Sequence, residues 1–371
     1  MNERDRQLTT KIFAAYYESA EFMIPAIERR EFGIGNVKKI DSRHLAFSST
    51  AEFRKYLCTN TPFFVSHSTA YYEFPGATPI QKKQWKGADL IFDLDIHAEG
   101  KYGAYAKLND AKRDVIRLVE DFIKRDFGCK DVTVVFSGNR GYHVHVRDSA
   151  FLSLGGEERR ELVDYITGNG VNYLDFFTFS DSKPKKLLGP RPDEAGYRGR
   201  MARGTIGLLH GRPQEISRIF SKDKEREFFI GGINEGNWSK TSLKFDDLLA
   251  RLRVVAETLP VGSVNTDAGV TQDLSKLIRV PNSIHGETGF VARIVKDVER
   301  FEPLRDALIA SRHPTKITFI EDVPELEMAD KTVGPFKKGE TKELMLPLAM
   351  FFVCKESATF SFSSQSEQPL S

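Results

Sequence analysis

The stretch that most constrains the fold is Asp89–His97, in which apolar and polar side chains alternate. A period of two predicts a β-strand, because successive side chains leave opposite faces of a strand. One face is apolar, and the other carries Asp89, Ile91, Asp93, Asp95 and His97. Carboxylates two positions apart repel each other, and a hard divalent cation would relieve that repulsion. The sequence therefore indicates either the solvated face of an edge strand or a cation site.

Composition narrows the class of protein without choosing a function. The chain has 371 residues, of which 40% are hydrophobic and 29% charged, which suits one large or two ordinary globular domains. Its 54 Lys and Arg against 52 Asp and Glu leave a net charge of +2, so any nucleic-acid surface must come from local clustering. The three cysteines are far apart and form no C-x-x-C pair, which fits a reducing cytoplasm. No apolar run is long enough to predict a membrane span or a signal peptide.

The order of the periodic segments predicts a mixed α/β fold. A helix follows the acidic strand from Asp110 to about Gly128. The β-branched strand 132–136, a turn at 137–141 and a returning strand at 142–147 complete a strand–helix–strand–turn–strand unit. Further helices are expected at 5–24, 51–57, 157–166, 243–255, 301–310 and 344–354, and strands at 29–35, 36–48 and 291–296.

Changes in composition suggest how the chain is divided. Residues 1–149 and 236–356 are expected to form an α/β core, and residues 150–235 an inserted, mainly helical region. The basic run 183–204 inside the insertion fits either a solvated face or a track for nucleic acid. The Ser- and Gln-rich tail, residues 357–371, is expected to be disordered.

Three constellations carry residue types suited to phosphate chemistry. Asp93 and Asp95 could supply two ligands to a pair of metal ions, with Asp267 or Asp273 as a third, and spacing cannot choose between the last two. The turn Ser137–His143 offers backbone N–H groups, a hydroxyl, a guanidinium and an imidazole, which suits triphosphate oxygens as well as an ordinary hairpin. The polar loop Arg279–Gly286 contributes the third set.

With these residues in hand, the chain resembles the small catalytic subunit of archaeal and eukaryotic DNA primases, in order over about residues 25–295. The resemblance rests on five segments at matching separations. They are Arg30-Glu31-Phe32 with Arg43, Asp93-Leu94-Asp95, Ser137-Gly138-x-Arg140-Gly141-x-His143, Asp267, and Leu277-Ile278-Arg279-x-Pro281-x-Ser283-Ile284-His285-Gly286.

The resemblance implies a role for each matching residue. Asp93, Asp95 and Asp267 match the three metal-binding carboxylates of the family, which favours Asp267 over Asp273. The positions matching nucleotide contacts are Ser137, Arg140, His143, Arg279 and His285, with Glu31 and Arg43 near the nucleotide. The resemblance also implies a primase core with an inserted helical region, two Mg²⁺ or Mn²⁺ ions, a large-subunit partner, a single-stranded DNA template and nucleoside triphosphate substrates.

The chain departs from the family pattern at three points. Residues 100–109 contain no cysteine, where family members often carry a zinc knob, so no zinc is expected. Asn139 stands where some members have a second arginine in the turn. Glu287 stands where the family usually has a lysine, and a carboxylate there would repel a triphosphate unless a neighbouring cation pairs with it.

Together these features predict a primase catalytic subunit that synthesises short primers by two-metal nucleotidyl transfer. Two other functions stay open. One is a primase-polymerase or an end-joining polymerase of the same superfamily. The other is a non-catalytic nucleic-acid-binding subunit with the same fold, to which Asn139 and Glu287 lend weight.

Overall fold

The fold is given by a computed structural model that describes residues 1–258, 264 and 266–361. The chain forms two compact units. Unit 1 comprises residues 1–116, 130–160 and 266 onward, and unit 2 comprises residues 117–129 and 161–265. Helices and antiparallel sheets occur together, so the predicted mixed α/β class is confirmed. In the described ranges, no helix combines the length and hydrophobicity needed to cross a membrane.

Two four-stranded antiparallel sheets organise unit 1. In spatial order, the first sheet consists of Leu277–Arg279, Phe64–Ser68, Phe32–Gly35 and Ser42–Leu45. The second sheet consists of Ile294–Val295, Val132–Phe136, Gly141–Val146 and Leu90–Asp95. The acidic strand Leu90–Asp95 therefore lies at one edge of the second sheet.

Smaller sheets and helices complete unit 1. A three-stranded sheet is built from Thr341–Met345, Pro314–Phe319 and Ala358–Phe360. Two hairpins pair Ala70–Tyr72 with Trp85–Ala88 and Leu326–Met328 with Lys331–Val333. The α-helices are Glu3–Ser19, Thr50–Asn60, Ser149–Leu152, Ala268–Gln272, Pro303–Asp306 and Leu346–Cys354, with short helical turns at Ile27–Arg29, Ile80–Lys83 and Tyr105–Lys107. The division between the units falls inside two further helices, Leu108–Arg117 and Gly156–Thr167.

Aromatic side chains dominate the core of unit 1. Phe32 and Phe53 are fully buried, and their ring centroids lie 4.9 Å apart. Phe22 and Phe47 stack edge-on against Phe53 at 5.0 and 5.2 Å. Edge-to-face contacts of this kind add to the free energy gained by burying each ring. This cluster packs the two N-terminal helices onto the first sheet and so fixes one wall of the candidate site.

Unit 2 is mainly helical and has its own core around Trp238, which is fully buried. Its helical segments are Leu118–Asp126, Tyr173–Phe176, Gly196–Gly211, Pro213–Glu215, Arg218–Ser221, Asp223–Asn234 and Phe245–Thr258, and its hairpin pairs Thr178–Phe179 with Leu187–Leu188. The predicted insertion, residues 150–235, overlaps unit 2, which comprises residues 117–129 and 161–265.

The basic run 183–204 is largely engaged within unit 2. Arg198 forms an ion pair with Glu194 at 2.5 Å, and Arg203 donates to the carbonyl of Pro192 at 2.6 Å. Arg200 pairs with Asp126, with both side chains almost fully buried. These guanidinium groups are engaged within unit 2, whereas the lysines between 183 and 186 are exposed, so both interpretations of the run stay predictions.

Several predicted elements need correction. The first helix ends at Ser19 rather than at residue 24, and the second strand covers only Ser42–Leu45. The last predicted helix starts at Leu346 rather than at residue 344, and Pro347 lies in its first turn, where proline needs no amide hydrogen. The predicted tail starts too early, because Ala358–Phe360 pairs with Pro314–Phe319. The prediction for residues 362–371 lies outside the described residues.

Candidate active site

Strand register places the acidic pair beside the glycine turn. The strands Leu90–Asp95 and Gly141–Val146 pair antiparallel, so that Asp93 faces His143 and Asp95 faces Gly141. The Nε2 atom of His143 lies 3.7 Å from Oδ1 of Asp93. A side chain at Gly141 would collide with the Leu94 carbonyl and the Asp95 carboxylate, so only glycine allows this close pairing.

The acidic strand is not a solvated outer face, although it lies at a sheet edge. Asp89 is fully buried and Ile91 is 1% exposed, so only the later positions of the polar row reach solvent. The side chains of Asp93 and Asp95 are 19% and 35% exposed. The two aspartates that the sequence favoured are thus the ones that open toward a cavity.

The turn at residues 137–141 is stabilised by hydrogen bonds within the turn and by one from a neighbouring loop. The Ser137 amide donates to the Gly141 carbonyl at 2.9 Å, and the Asn139 amide donates to the Ser137 hydroxyl at 3.3 Å. Gly138 has a φ of +80°, which favours glycine. Its carbonyl accepts the Thr288 hydroxyl at 2.6 Å, so the turn is fixed against the loop that carries His285.

His285 is held in one tautomer by its own loop. Its Nδ1 atom accepts the Glu287 amide at 3.2 Å, which leaves the ring proton on Nε2. Arg279 lies in the first sheet opposite Ser66, and its guanidinium carbon is 5.5 Å from the Phe64 ring centroid. One buried nitrogen of Arg279, Nη1, has no hydrogen-bond partner among the described residues. Both side chains can therefore donate to an incoming anion.

Eight of the ten predicted site residues line one cavity of about 340 Å³. They are Arg43, Asp93, Asp95, Ser137, Arg140, His143, Arg279 and His285. The wall also includes residues that the sequence reading missed, among them Lys39, Ser66 and Lys276. Lysines outside a recognisable motif give no signal in one sequence, although Lys276 directly precedes the strand that carries Arg279. The roles of all these residues stay predictions.

Glu31 does not line the cavity but anchors residues around it. Its buried carboxylate pairs with Nε of Arg43 at 3.0 Å and with Nδ1 of His44 at 3.1 Å. Lys83, also fully buried, lies 3.6 Å from its second oxygen. The structure therefore places Glu31 behind Arg43, where it fixes the direction of a side chain that reaches the cavity.

The two candidates for the third carboxylate are placed differently. The Asp267 amide donates to the Asp93 carbonyl at 3.0 Å, and Oδ1 of Asp267 caps its own short helix by accepting from Gly269 at 2.8 Å. Asp273 lines the cavity, but its carboxylate accepts both the amide and the hydroxyl of Ser275 at 2.8 and 2.7 Å. The structure thus joins the backbone of Asp267, rather than that of Asp273, to the acidic strand.

The electrostatics of the acidic pair favour a bound cation. Burial, followed by the negative charge of Asp267, raises the pKa of Asp93 to about 6. Burial, followed by the charge of Asp93, also raises the pKa of Asp95, against the nearby Arg140, whose Nη2 is 3.9 Å away. Carboxylates whose pKa is raised by burial and mutual repulsion lose that penalty when a cation binds.

His143, His285 and Arg279 are suited to donate hydrogen bonds rather than to change their protonation state near pH 7. Burial lowers the pKa of His143 to about 4 and that of His285 well below its ordinary value, so both rings are neutral at pH 7. Burial also lowers the pKa of Arg279 to about 10, which leaves it charged at that pH. The cavity therefore combines neutral imidazole donors with permanent guanidinium charges.

The side chains around the cavity provide part of the ligand set that a divalent cation needs. Oδ1 of Asp93 is buried and has no hydrogen-bond partner among the described residues, which leaves a carboxylate oxygen available to a metal. In the same ranges, no three His, Cys, Asp or Glu side chains are close enough together to form a metal site by themselves. Asp93 and Asp95 are thus positioned for a cation, whereas the carboxylate of Asp267 caps a helix.

An acidic strand, a glycine turn and a basic loop meet around one cavity, and comparison with known proteins gives the family. Residues 92–297 match the family model of the DNA primase small subunit. The chain is 33% identical to the DNA primase small subunit of Archaeoglobus fulgidus over 94% of this chain and 97% of that protein. It is 32% identical to that of Methanococcoides burtonii, over 94% and 96%. The chain therefore belongs to the DNA primase small subunit family, whose members are nucleotidyltransferase-type enzymes.

Proposed function

We propose that the chain is the catalytic subunit of a DNA primase, which makes short primers from nucleoside triphosphates on a single-stranded DNA template. The observation that carries the proposal is the register that sets Asp93 opposite His143 at the edge of a cavity. Carboxylates on one side and phosphate-binding donors on the other are what nucleotidyl transfer requires.

In this proposal, Asp93, Asp95 and Asp267 hold two Mg²⁺ or Mn²⁺ ions. When bound, such ions neutralise charge on the α-phosphate and lower the pKa of the attacking hydroxyl. The chain itself binds the substrate: Arg140, Arg279 and the Nε2–H of His285 donate to phosphate oxygens. The Ser137 hydroxyl and the N–H groups of the turn add uncharged donors. Glu31 keeps Arg43 directed toward the nucleotide.

The reaction forms one bond and breaks one bond at the α-phosphorus. The 3′-oxygen of the growing strand attacks in line, and the bond to the bridging oxygen breaks, so that the electron pair leaves with pyrophosphate. The hydroxyl proton passes to solvent, and no side chain of the cavity need act as a general base. Neutral His143, with its pKa near 4, donates a hydrogen bond and does not carry that proton away.

The decisive experiment measures incorporation of labelled nucleotides on a single-stranded template without a primer, with and without Mn²⁺ and a large primase subunit. We expect metal-dependent synthesis by the wild type and a loss of at least about a hundredfold in Asp95→Asn. Asp297→Asn, which changes an exposed aspartate of the same unit, is the matched control. Template-directed dinucleotide synthesis by Asp95→Asn at the wild-type rate would refute the metal assignment.

The same assay separates the alternatives. Initiation without a primer helps to separate a primase from a primase-polymerase or an end-joining polymerase of the superfamily, so extension of a supplied primer without de novo initiation would favour the latter class. A non-catalytic subunit would show no metal-dependent incorporation even as wild type and would still bind template after Asp93→Ala.

A further inference from the structure

A second cavity of about 340 Å³ adjoins the first. The two cavities share three wall residues, Lys39, Asn139 and Arg140. The wall of the second cavity includes Lys355, which directly follows the helix Leu346–Cys354. The site described so far makes no use of this space.

Positive charge dominates the wall of the second cavity. Lys39, Lys101, Arg140 and Lys355 face one carboxylate, that of Glu287. Lys101 is engaged by Glu321 at 2.6 Å, and Nη2 of Arg140 lies 3.9 Å from Asp95, which leaves Lys39 and Lys355 as the cations with no other carboxylate partner among the described residues. Nε of Arg140 is buried and has no hydrogen-bond partner among the described residues. A cavity with this excess of donors is suited to an anion that carries several charges.

Lys355 is held in place beside the carboxylate. Its ammonium lies 5.3 Å from the centroid of the Tyr105 ring and is half-buried. Burial lowers the pKa of Lys355, Glu287 opposes that shift, and Lys101 and Arg140 add to it. The ammonium thus lies near one carboxylate and two further cations, so a phosphate group in the cavity would meet more than one positive charge.

Asn139 keeps Glu287 at the wall. Its Oδ1 accepts the Tyr105 hydroxyl at 2.9 Å, which orients the amide so that Nδ2 donates to Glu287 at 3.3 Å. The Glu287 carboxylate is therefore tied on one side by Asn139 and balanced on the other by Lys355.

We propose that the second cavity binds phosphate groups, with Lys355 as the principal cation and Lys39 and Arg140 as partners. The phosphates could belong to the terminal part of a nucleoside triphosphate or to the backbone of a nucleic-acid strand. The proposed function suggests these two sources, but the binding of phosphate itself requires no catalysis.

The test measures dissociation constants in the presence of a chelator, so that no metal ion contributes. The probes are inorganic tripolyphosphate and a short oligo-dT without a terminal phosphate. For Lys355→Met we expect binding of one of these probes to weaken about tenfold, the effect of one lost charged contact. For Glu287→Gln we expect the same probe to bind severalfold more tightly. Lys316→Met, on an exposed strand position outside both cavities, should bind as wild type.

The two variants are expected to change the affinity in opposite directions. Misfolding cannot explain both results, because a damaged fold would not tighten binding. Weakening confined to tripolyphosphate identifies the nucleotide as the source, and weakening confined to oligo-dT identifies a strand. Wild-type affinity of Lys355→Met for both probes, or weaker binding by Glu287→Gln, would overturn the proposal. A chain that binds tripolyphosphate through Lys355 but makes no primers would refute the proposed function alone.

Discussion

Arg30 and Asp89 form an ion pair of 2.9 Å in which neither side chain is exposed to solvent. A second guanidinium nitrogen of Arg30, Nη1, donates to the carbonyls of Ser68 and Thr69 at 2.8 and 3.0 Å. The pair therefore ties the end of a first-sheet strand to the start of the acidic strand in the second sheet. Asp89, which shares the polar face of the predicted strand with Asp93 and Asp95, is a structural residue behind the site.

The first prediction concerns this pair. Asp89→Asn should destabilise the protein by about 3–5 kcal/mol, because it leaves the buried guanidinium of Arg30 without its counter-charge. Arg147, whose Nε lies 3.3 Å from the same carboxylate, would lose a partner as well. Urea unfolding followed by circular dichroism measures the effect. An unchanged unfolding midpoint, equal to that of the exposed control Asp297→Asn, would contradict this role.

The second prediction concerns pH. Burial lowers the pKa of His145 to about 4 in the folded protein, against about 6.5 in an unfolded chain. Between these values the unfolded state binds the proton and the folded state does not, so stability rises with pH and is lost as pH falls from about 6.5 to about 4.

We therefore expect His145→Gln to reduce the loss of stability on acidification, by up to about 1.4 kcal/mol per pH unit for the one group removed. Unfolding midpoints measured at several pH values from 7.5 to 4.5 give the slope. His313→Gln, which removes an exposed histidine, should keep the wild-type slope. Equal slopes in all three proteins would rule out His145 as a source of acid sensitivity.

The third prediction concerns Gly141. Ala at this position would place a Cβ against the Leu94 carbonyl and the Asp95 carboxylate, so the acidic strand must shift. We expect Gly141→Ala to lower nucleotide incorporation at least about tenfold, since displacements of about 1 Å have large effects on catalysis. Gly207→Ala is the control, because a Cβ at that exposed helical position meets nothing within 4 Å. Full activity of Gly141→Ala would mean that the pairing tolerates a side chain.

The fourth prediction decides between the two candidates for the third carboxylate. Asp267→Asn should reduce metal-dependent incorporation at least about a hundredfold, because the charge of Asp267 acts directly on Asp93. Asp273→Asn should have an effect of less than about tenfold, since an asparagine Oδ1 can still accept from Ser275. Titration of activity with Mn²⁺ gives the apparent metal affinity of each variant. The reverse order of effects would assign the ligand to Asp273.

The local elements of the site could be predicted because their patterns are local. The predicted helix at 51–57 exists as Thr50–Asn60, where the Ser49 side chain caps the first turn by accepting the Glu52 amide at 3.2 Å. The strand Val132–Phe136 has the predicted bounds, because β-branched residues and a glycine turn define it. The predicted acidic strand is one residue too long at its start and two at its end, since the alternation continues through Asp89 and past Asp95, beyond the strand Leu90–Asp95.

Long-range partners could not be predicted in the same way. The alternation of Asp89–His97 places Asp89 and Asp93 on the same face of the strand. Asp89, however, is buried in an ion pair with Arg30, whereas Asp93 lines a cavity. Nothing local to Glu287 indicates that Asn139 and Lys355 flank it from distant parts of the chain. Such contacts depend on how sheets and loops pack, which a single sequence does not encode in any periodic pattern.

The sequence by itself determined the class of fold, the family resemblance and the ordered set of acidic, polar and basic residues, because side-chain chemistry and period are properties of the chain. Only the tertiary structure decided which of these residues share a cavity. It placed Glu31 behind Arg43, joined the backbone of Asp267 to Asp93, and brought Lys355 beside Arg140. The physical reason is that burial and electrostatic fields depend on distance in space, whereas the sequence fixes only distance along the chain.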